Sequence, residues 1–178
     1  MLEPDVELAK NGDQQAFTRL YNEHYLKIVK MLDRWTDDWA EAEDITQEAF
    51  FKAFTKIEKF KGESTFYTWL WRIAINECRN WNIKWNVRRV PRHDYPVYEN
   101  DIVEKRTPED EIDGSDMQQA ISDVLSTCPD EMRETFIMRM DSDDSDIGLA
   151  EALGVPLGTI RSRIFRVRRR IEDRLKEG

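Results

Sequence analysis

Residues 158–175, GTIRSRIFRVRRRIEDRL, hold seven arginines in eighteen positions. Wound as a helix at about 100° per residue, Ile160, Ile164, Val167, Ile171 and Leu175 form one stripe, and Arg161, Ser162, Phe165, Arg166 and Arg169 fall on the other side. That second face carries guanidinium forks that match guanine edges, a hydroxyl, and a ring that can meet a thymine methyl. The face is a candidate for recognition of duplex DNA in the major groove, with a solvated basic helix or a partner-binding coil as the alternatives. Thr159, where the helix opens, joins the same set. Arg163, Arg168 and Arg170 flank the stripe and suit phosphate contacts or internal ion pairs.

A reading face needs elements that present it. Leu149, Ala152 and Leu153 give the preceding segment an apolar helical face. Gly154 tolerates the positive φ of a helix end, and Pro156 stops that helix from continuing. A helix, a short Gly-containing turn and a second helix is the grammar of a helix-turn-helix. Upstream, MQQAISDVLSTCPDEMRETFIMRM predicts two supporting helices with Ile121, Val124, Leu125, Phe136, Ile137 and Met140 as core, and Pro129 at the start of the second.

The N-terminal half offers two further surfaces. In EAEDITQEAFFKAFTKIEKF, Ala42, Ile45, Ala49, Ala53 and Ile57 turn inward, while Asp44, Gln47, Glu48 and Phe51 share the outer face. An aromatic among carboxylates suits protein docking, and burial of Phe51 under a neighbouring helix is the alternative. The next stretch has a Gly62 loop, then Phe66, Tyr67, Trp69, Trp71, Trp81 and Trp85, then an acid-free basic run. Rings beside cations make a platform for single-stranded nucleic acid, where stacking is worth about 1–3 kcal/mol per base. Lys61, Gly62, Glu63, Ser64, Thr65 and Phe66, with Asn80, Lys84, Arg88 and Arg89, are the candidate contacts, whereas Trp69 and Trp71 read as core.

The formal net charge of −9 over 178 residues averages away this pattern. Residues 79–92 hold five bases and no acid, and residues 141–151 hold five acids and no base. Apolar residues recur at helical spacing over about 5–85 and 116–175, which predicts an all-α fold of two small helical domains. The expected boundaries are 5–90 and 115–178, joined by a flexible acidic linker, 91–114, with Pro91, Pro96, Pro108 and seven acids between Glu99 and Asp113. Cys78 and Cys128 lack metal or redox spacing, and His24 and His93 lack nucleophilic partners. No metal, cofactor or catalytic role is expected. The N-terminal stretch lacks a basic segment followed by an apolar one, so no secretory signal is expected and the cytoplasm is the expected compartment.

These motifs resemble the extracytoplasmic-function sigma factors of bacterial RNA polymerase, closest to the envelope-stress branch. EAEDITQEAFFKAF and KGESTFYTWLWRIAINECRN resemble the family's region 2, and TCPDEMRETFIMR and LAEALGVPLGTIRSRIFRVRRRI resemble its region 4. The resemblance implies a dissociable, non-catalytic specificity subunit with core RNA polymerase and promoter DNA as partners. Asp44, Gln47, Glu48 and Phe51 would grip the clamp helices of the largest polymerase subunit. The Lys61–Phe66 loop and Asn80 would capture a flipped base of the minus-10 element. Arg161, Ser162, Phe165 and Arg166 would read the minus-35 element, and the acidic linker would thread toward the RNA exit path. A membrane-anchored anti-sigma factor is the expected inhibitor.

The chain departs from the family pattern at Asn80, where members often carry aspartate, and at Ile83, near which they carry arginine. DSDDSDIG, residues 141–148, replaces a segment that in the family has leucine, serine and an aromatic followed by glutamates. Ser145 fits an N-cap, but Asp144 and Asp146 stand at apolar positions, and Gly148 costs about 1 kcal/mol of helix propensity. Weakening of the domain or repulsion of phosphates is the expected effect. A stand-alone helix-turn-helix regulator and a decoy for an anti-sigma factor are the alternatives.

Overall fold

The structure is a computed structural model and describes residues 3–36, 38–84 and 114–177. Most of the predicted linker lies outside the described residues, as do Arg88 and Arg89 and the side chain of Lys84. Every regular element among the described residues is helical. The first group is α1 (Pro4–Lys10), α2 (Gln14–Asp33), α3 (Trp39–Lys56), a 3-10 turn (Ile57–Lys59) and α4 (Phe66–Lys84). The second is α5 (Gly114–Thr127), α6 (Asp130–Asp141), α7 (Asp146–Leu153) and α8 (Leu157–Glu177).

Local chemistry sets the helix starts. The Asp13 carboxylate accepts from the Gln15 and Ala16 N–H groups at 2.8 and 3.1 Å, and Asp38 accepts from Ala40 at 2.8 Å. Each satisfies amides that have no partner inside the helix. Gly12, at φ 92°, lets the chain turn sharply between α1 and α2. Thr65 performs the same office for α4, its hydroxyl accepting from Thr68 N–H at 3.2 Å and its carbonyl from Trp69 N–H at 3.2 Å.

The first core is built from the inward faces of these helices: Val6, Leu20, Ile28 and Leu32 meet Ile45, Phe50, Leu70 and Trp71, all buried. Ala42, Ala49 and Ala53 are fully buried, which lets α3 approach its neighbours closely. His24 is buried with its ring 5.5 Å from Phe66 and 5.8 Å from Tyr67, and burial holds its pKa below the usual histidine value. It is a core ring. In the second core, Ile121, Leu125, Phe136 and Ile137 receive the α8 stripe of Ile160, Ile164, Val167 and Ile171. Arg133 is 4% exposed and ties α6 to the end of α5, donating to the carbonyls of Leu125 and Cys128 at 2.7 and 2.8 Å. Those carbonyls lie at a helix C-terminus, where a cation is favoured.

The two groups also touch. Helix α4 packs against α7, and Arg34, the residue that follows α2, pairs with Asp141 at the end of α6 at 3.0 Å. Arg79 of α4 pairs with Glu134 of α6, and the Arg72 guanidinium donates to the Ala152 carbonyl. These contacts are polar, the character of interfaces that open and close.

Candidate nucleic-acid interface

Helix α8 owes its two faces to its sequence period. The aliphatic stripe is buried, and Arg161, Phe165, Arg166 and Arg169 are exposed, with Phe165 64% exposed. Ser162 and Thr159 are half-buried, and the Ser162 hydroxyl donates to the Thr159 carbonyl at 3.0 Å. The helix is presented as a helix-turn-helix requires. Ser145 caps α7, accepting from Gly148 N–H at 3.2 Å, and Gly154 ends it at φ 65°. The Pro156 carbonyl then accepts from Thr159 N–H at 2.8 Å to start α8. Phe165, Arg166 and Arg169 line a groove whose opposite wall includes Pro129 and Met132.

The arginines divide into two sets. Arg163 pairs with Glu131 at 3.7 Å and Arg174 with Asp123 at 3.0 Å, so both serve the module's own packing. Arg161 lies 3.4 Å from Asp146, which also sits 3.9 Å from Arg139. Asp146 thus neutralises part of the reading face.

On α3, Asp44, Gln47, Glu48 and Phe51 are all exposed, and Phe51, at 64%, is not covered by a neighbouring helix. Phe51 lines a groove between α2 and α3 together with Phe17, Tyr21, Phe50 and Phe54. Phe54 is 47% exposed, and it was missed by sequence reasoning although it lies three residues from Phe51 on the same face. Lys52 reaches Glu48 at 3.5 Å and also pairs with Glu77 of α4, which holds its pKa above the usual lysine value.

The Gly62 loop is only partly open. Lys61, Gly62 and Glu63 are exposed, with Gly62 at φ 76°, and Asn80 is exposed on α4. Ser64 and Thr65 are half-buried. Phe66 is fully buried, its ring meeting Phe17, Phe60 and Trp69, so the loop's aromatic belongs to the core and not to a base-contacting surface. Trp71 is fully buried, and Trp69 and Trp81 are partly buried against the core. Thr65 is engaged from the other module: its N–H and its hydroxyl both donate to the Asp144 carboxylate at 3.0 Å.

An exposed arginine face behind a helix-turn-helix, on a chain whose other half carries an open aromatic groove on the helix that also exposes Asp44 and Glu48, has the chemistry of a DNA-recognition protein that also docks on another protein. Residues 20–83 match the Sigma-70 region 2 family. The chain is 33% identical over 178 residues to the ECF RNA polymerase sigma-E factor of Haemophilus influenzae, covering 96% of this chain and 93% of that one. It belongs to the ECF family of RNA polymerase sigma factors, non-catalytic subunits that bind core RNA polymerase and direct promoter-specific initiation. Two solved structures share the fold. CnrH, solved with the cytosolic domain of CnrY, aligns at a TM-score of 0.63 and 19% identity, covering 97% of this chain and 96% of that one. The sigma factor RpoE from Bartonella quintana, solved with the anti-sigma factor NepR, aligns at 0.58 and 22%, covering 90% and 96%. Among the described residues no helix is long and apolar enough to cross a membrane.

Proposed function

We propose that the two modules divide promoter recognition between them, with residues 5–90 as the first, 115–178 as the second and 91–114 as the connecting linker. Asp44, Gln47, Glu48 and Phe51, joined by Phe54, form the polymerase-docking face: an exposed aromatic anchor in an open groove, with exposed carboxylates on the same helix, suits a partner helix. Lys61–Thr65 and Asn80, with the basic residues Lys84, Arg88 and Arg89, hold the minus-10 strand. Arg161, Phe165, Arg166 and Arg169 read the minus-35 duplex, with Thr159 and Ser162 at the near end of the same face.

The observation that carries this reading is the separation on α8, where a buried aliphatic stripe turns four unburied side chains of base-reading type outward. The α2/α3 groove is equally open to an inhibitor, and the anti-sigma complex of the Bartonella quintana protein supports control of this chain by an anti-sigma factor that covers its polymerase-docking surfaces. Such a chain acts in the cytoplasm, where polymerase and promoter are.

Run-off transcription with core polymerase tests the assignment. Initiation at a defined start site only when both components are present is the expected result, and Phe51→Ala should abolish it at limiting polymerase. Operator-specific duplex binding by the chain alone, without polymerase-dependent initiation, would overturn the reading in favour of a stand-alone regulator.

A further inference from the structure

Residues 141–148, DSDDSDIG, hold acids where a helix-turn-helix has no need of them. The structure shows where they go. The Asp144 carboxylate lies at the N-terminus of α4, accepting from Thr65 N–H at 3.0 and 3.3 Å and from the Thr65 hydroxyl at 3.0 Å. An oxyanion held by an amide at a helix N-terminus and a hydroxyl is the arrangement proteins use for phosphate. Thr65 belongs to the loop assigned above to the minus-10 strand.

Gly148 makes the seat. A Cβ placed there would stand 3.1 Å from both Cγ and Oδ1 of Asp144, tight enough to press the carboxylate off its place by a few tenths of an ångström. Around this contact, Arg34–Asp141, Arg79–Glu134 and Arg72 with the Ala152 carbonyl join the same two modules.

We infer that Asp144 is an internal phosphate mimic that closes the minus-10 loop in the free chain, and that the polar contacts around it form a clasp released when polymerase holds the modules apart. The inference rests on the assignment of the loop to the minus-10 strand. A strand must displace Asp144 from Thr65, so its apparent affinity falls by the fraction of chain that is open. The charge of the segment then has a purpose that does not involve repelling DNA.

Amide hydrogen exchange at Thr65 in the full chain reads the clasp directly and without polymerase. Asp144→Asn and Gly148→Ala should both speed that exchange and tighten binding of a fluorescein-labelled oligothymidylate by about tenfold, the worth of a charge-assisted hydrogen bond. Gly148→Ala is the sharper variant, because it leaves the charge unchanged and improves helix propensity while unseating Asp144. Asp143→Asn removes the same charge from an exposed neighbour and should change neither readout. With core polymerase bound, all three variants should initiate within about twofold of the parent, because the clasp is already open. Unchanged exchange in the first two variants overturns the inference, as does faster exchange with no gain in oligothymidylate binding, or an equal gain from Asp143→Asn. If the parent chain fails to initiate with polymerase, the sigma reading falls, and the exchange result still decides whether the clasp exists.

Discussion

Arg34 at the C-terminal cap of α2 and Asp141 at the end of α6 lie 107 residues apart in sequence and meet through one guanidinium nitrogen, Nη1, at 3.0 and 3.1 Å from the two carboxylate oxygens. Asp141 keeps 6% of its side-chain surface and Arg34 keeps 17%. Burial pushes the Asp141 pKa up, while Arg34 and then the Trp71 indole pull it back. Removing Arg34 therefore strands a carboxylate that is already costly to keep charged. Arg34→Ala should destabilise the chain by about 2 kcal/mol in urea unfolding, and Asp141→Asn in the same chain should restore most of that loss. Additive losses from the two changes would mean that the pair is not coupled.

Phe51 and Phe54 expose apolar surface that folding leaves uncovered. Truncating Phe51, 64% exposed, should leave the unfolding midpoint nearly where it is, whereas truncating Phe54 should lower it, because that ring packs edge-on against Phe17 at 5.0 Å. Polymerase affinity should fall by about 2 kcal/mol for Phe51→Ala, the usual worth of a central aromatic anchor. Asp44→Ala and Glu48→Ala, at exposed positions of the same helix, should each cost less than about 1 kcal/mol and mainly slow association. Titration against core polymerase separates anchor from carboxylates.

Much of this was legible in the sequence because it is periodic or local. The α8 stripe repeats at helical spacing, and Ile160, Ile164, Val167 and Ile171 are buried as that spacing demands. Ser145 caps α7 and Gly154 ends it with φ 65°, both signals that a few neighbouring residues carry by themselves. Phe66 was harder. An aromatic after a glycine loop has the same local sequence whether it faces solvent or core, and only the rings of Phe17, Phe60 and Trp69 decide. Asp144 and Gly148 were illegible as a pair of opportunities. The contact from Asp144 to Thr65 spans 79 residues and has no period, and Gly148 reads as a helix defect until its Cβ is placed against Asp144.

The reading face should not respond uniformly to mutation. Arg166 and Arg169 are exposed on α8, whereas Arg161 has its Nε 3.4 Å from Asp146. Arg166→Ala should cost about 1–3 kcal/mol on the preferred minus-35 sequence and little on others. Arg161→Ala should cost less, because Asp146 already shares its charge. Asp146→Asn should strengthen holoenzyme binding on preferred and scrambled sequences alike, since it releases positive charge without adding a base contact. Competition binding of the holoenzyme with the two duplexes checks all three, and an equal loss on both from Arg166→Ala would make that residue a phosphate contact.

Glu134 gives the fold a pH dependence whose sign is determined. Its side chain is 6% exposed on α6, where burial raises its pKa to about 7 despite Arg79 across the interface, with Asp130 pushing the same way and Arg133 opposing. In the unfolded chain the group returns to the ordinary glutamate range near 4.5. The folded state thus holds the proton more tightly, and the stability linked to it is fully present below the unfolded value and is lost as pH rises through about 7. The chain should unfold more easily at pH 8 than at pH 6 by at most about 1.4 kcal/mol, one pKa unit's worth, the larger part of the loss falling between about 4.5 and pH 6. Glu134→Gln removes the titration while keeping the shape, so its unfolding midpoint should be nearly flat over that interval and should exceed the parent's at pH 8. Thermal unfolding of both chains across the range measures this directly, and a parent curve that rises toward pH 8 would show that the Arg79 pairing outweighs the cost of burying the charge.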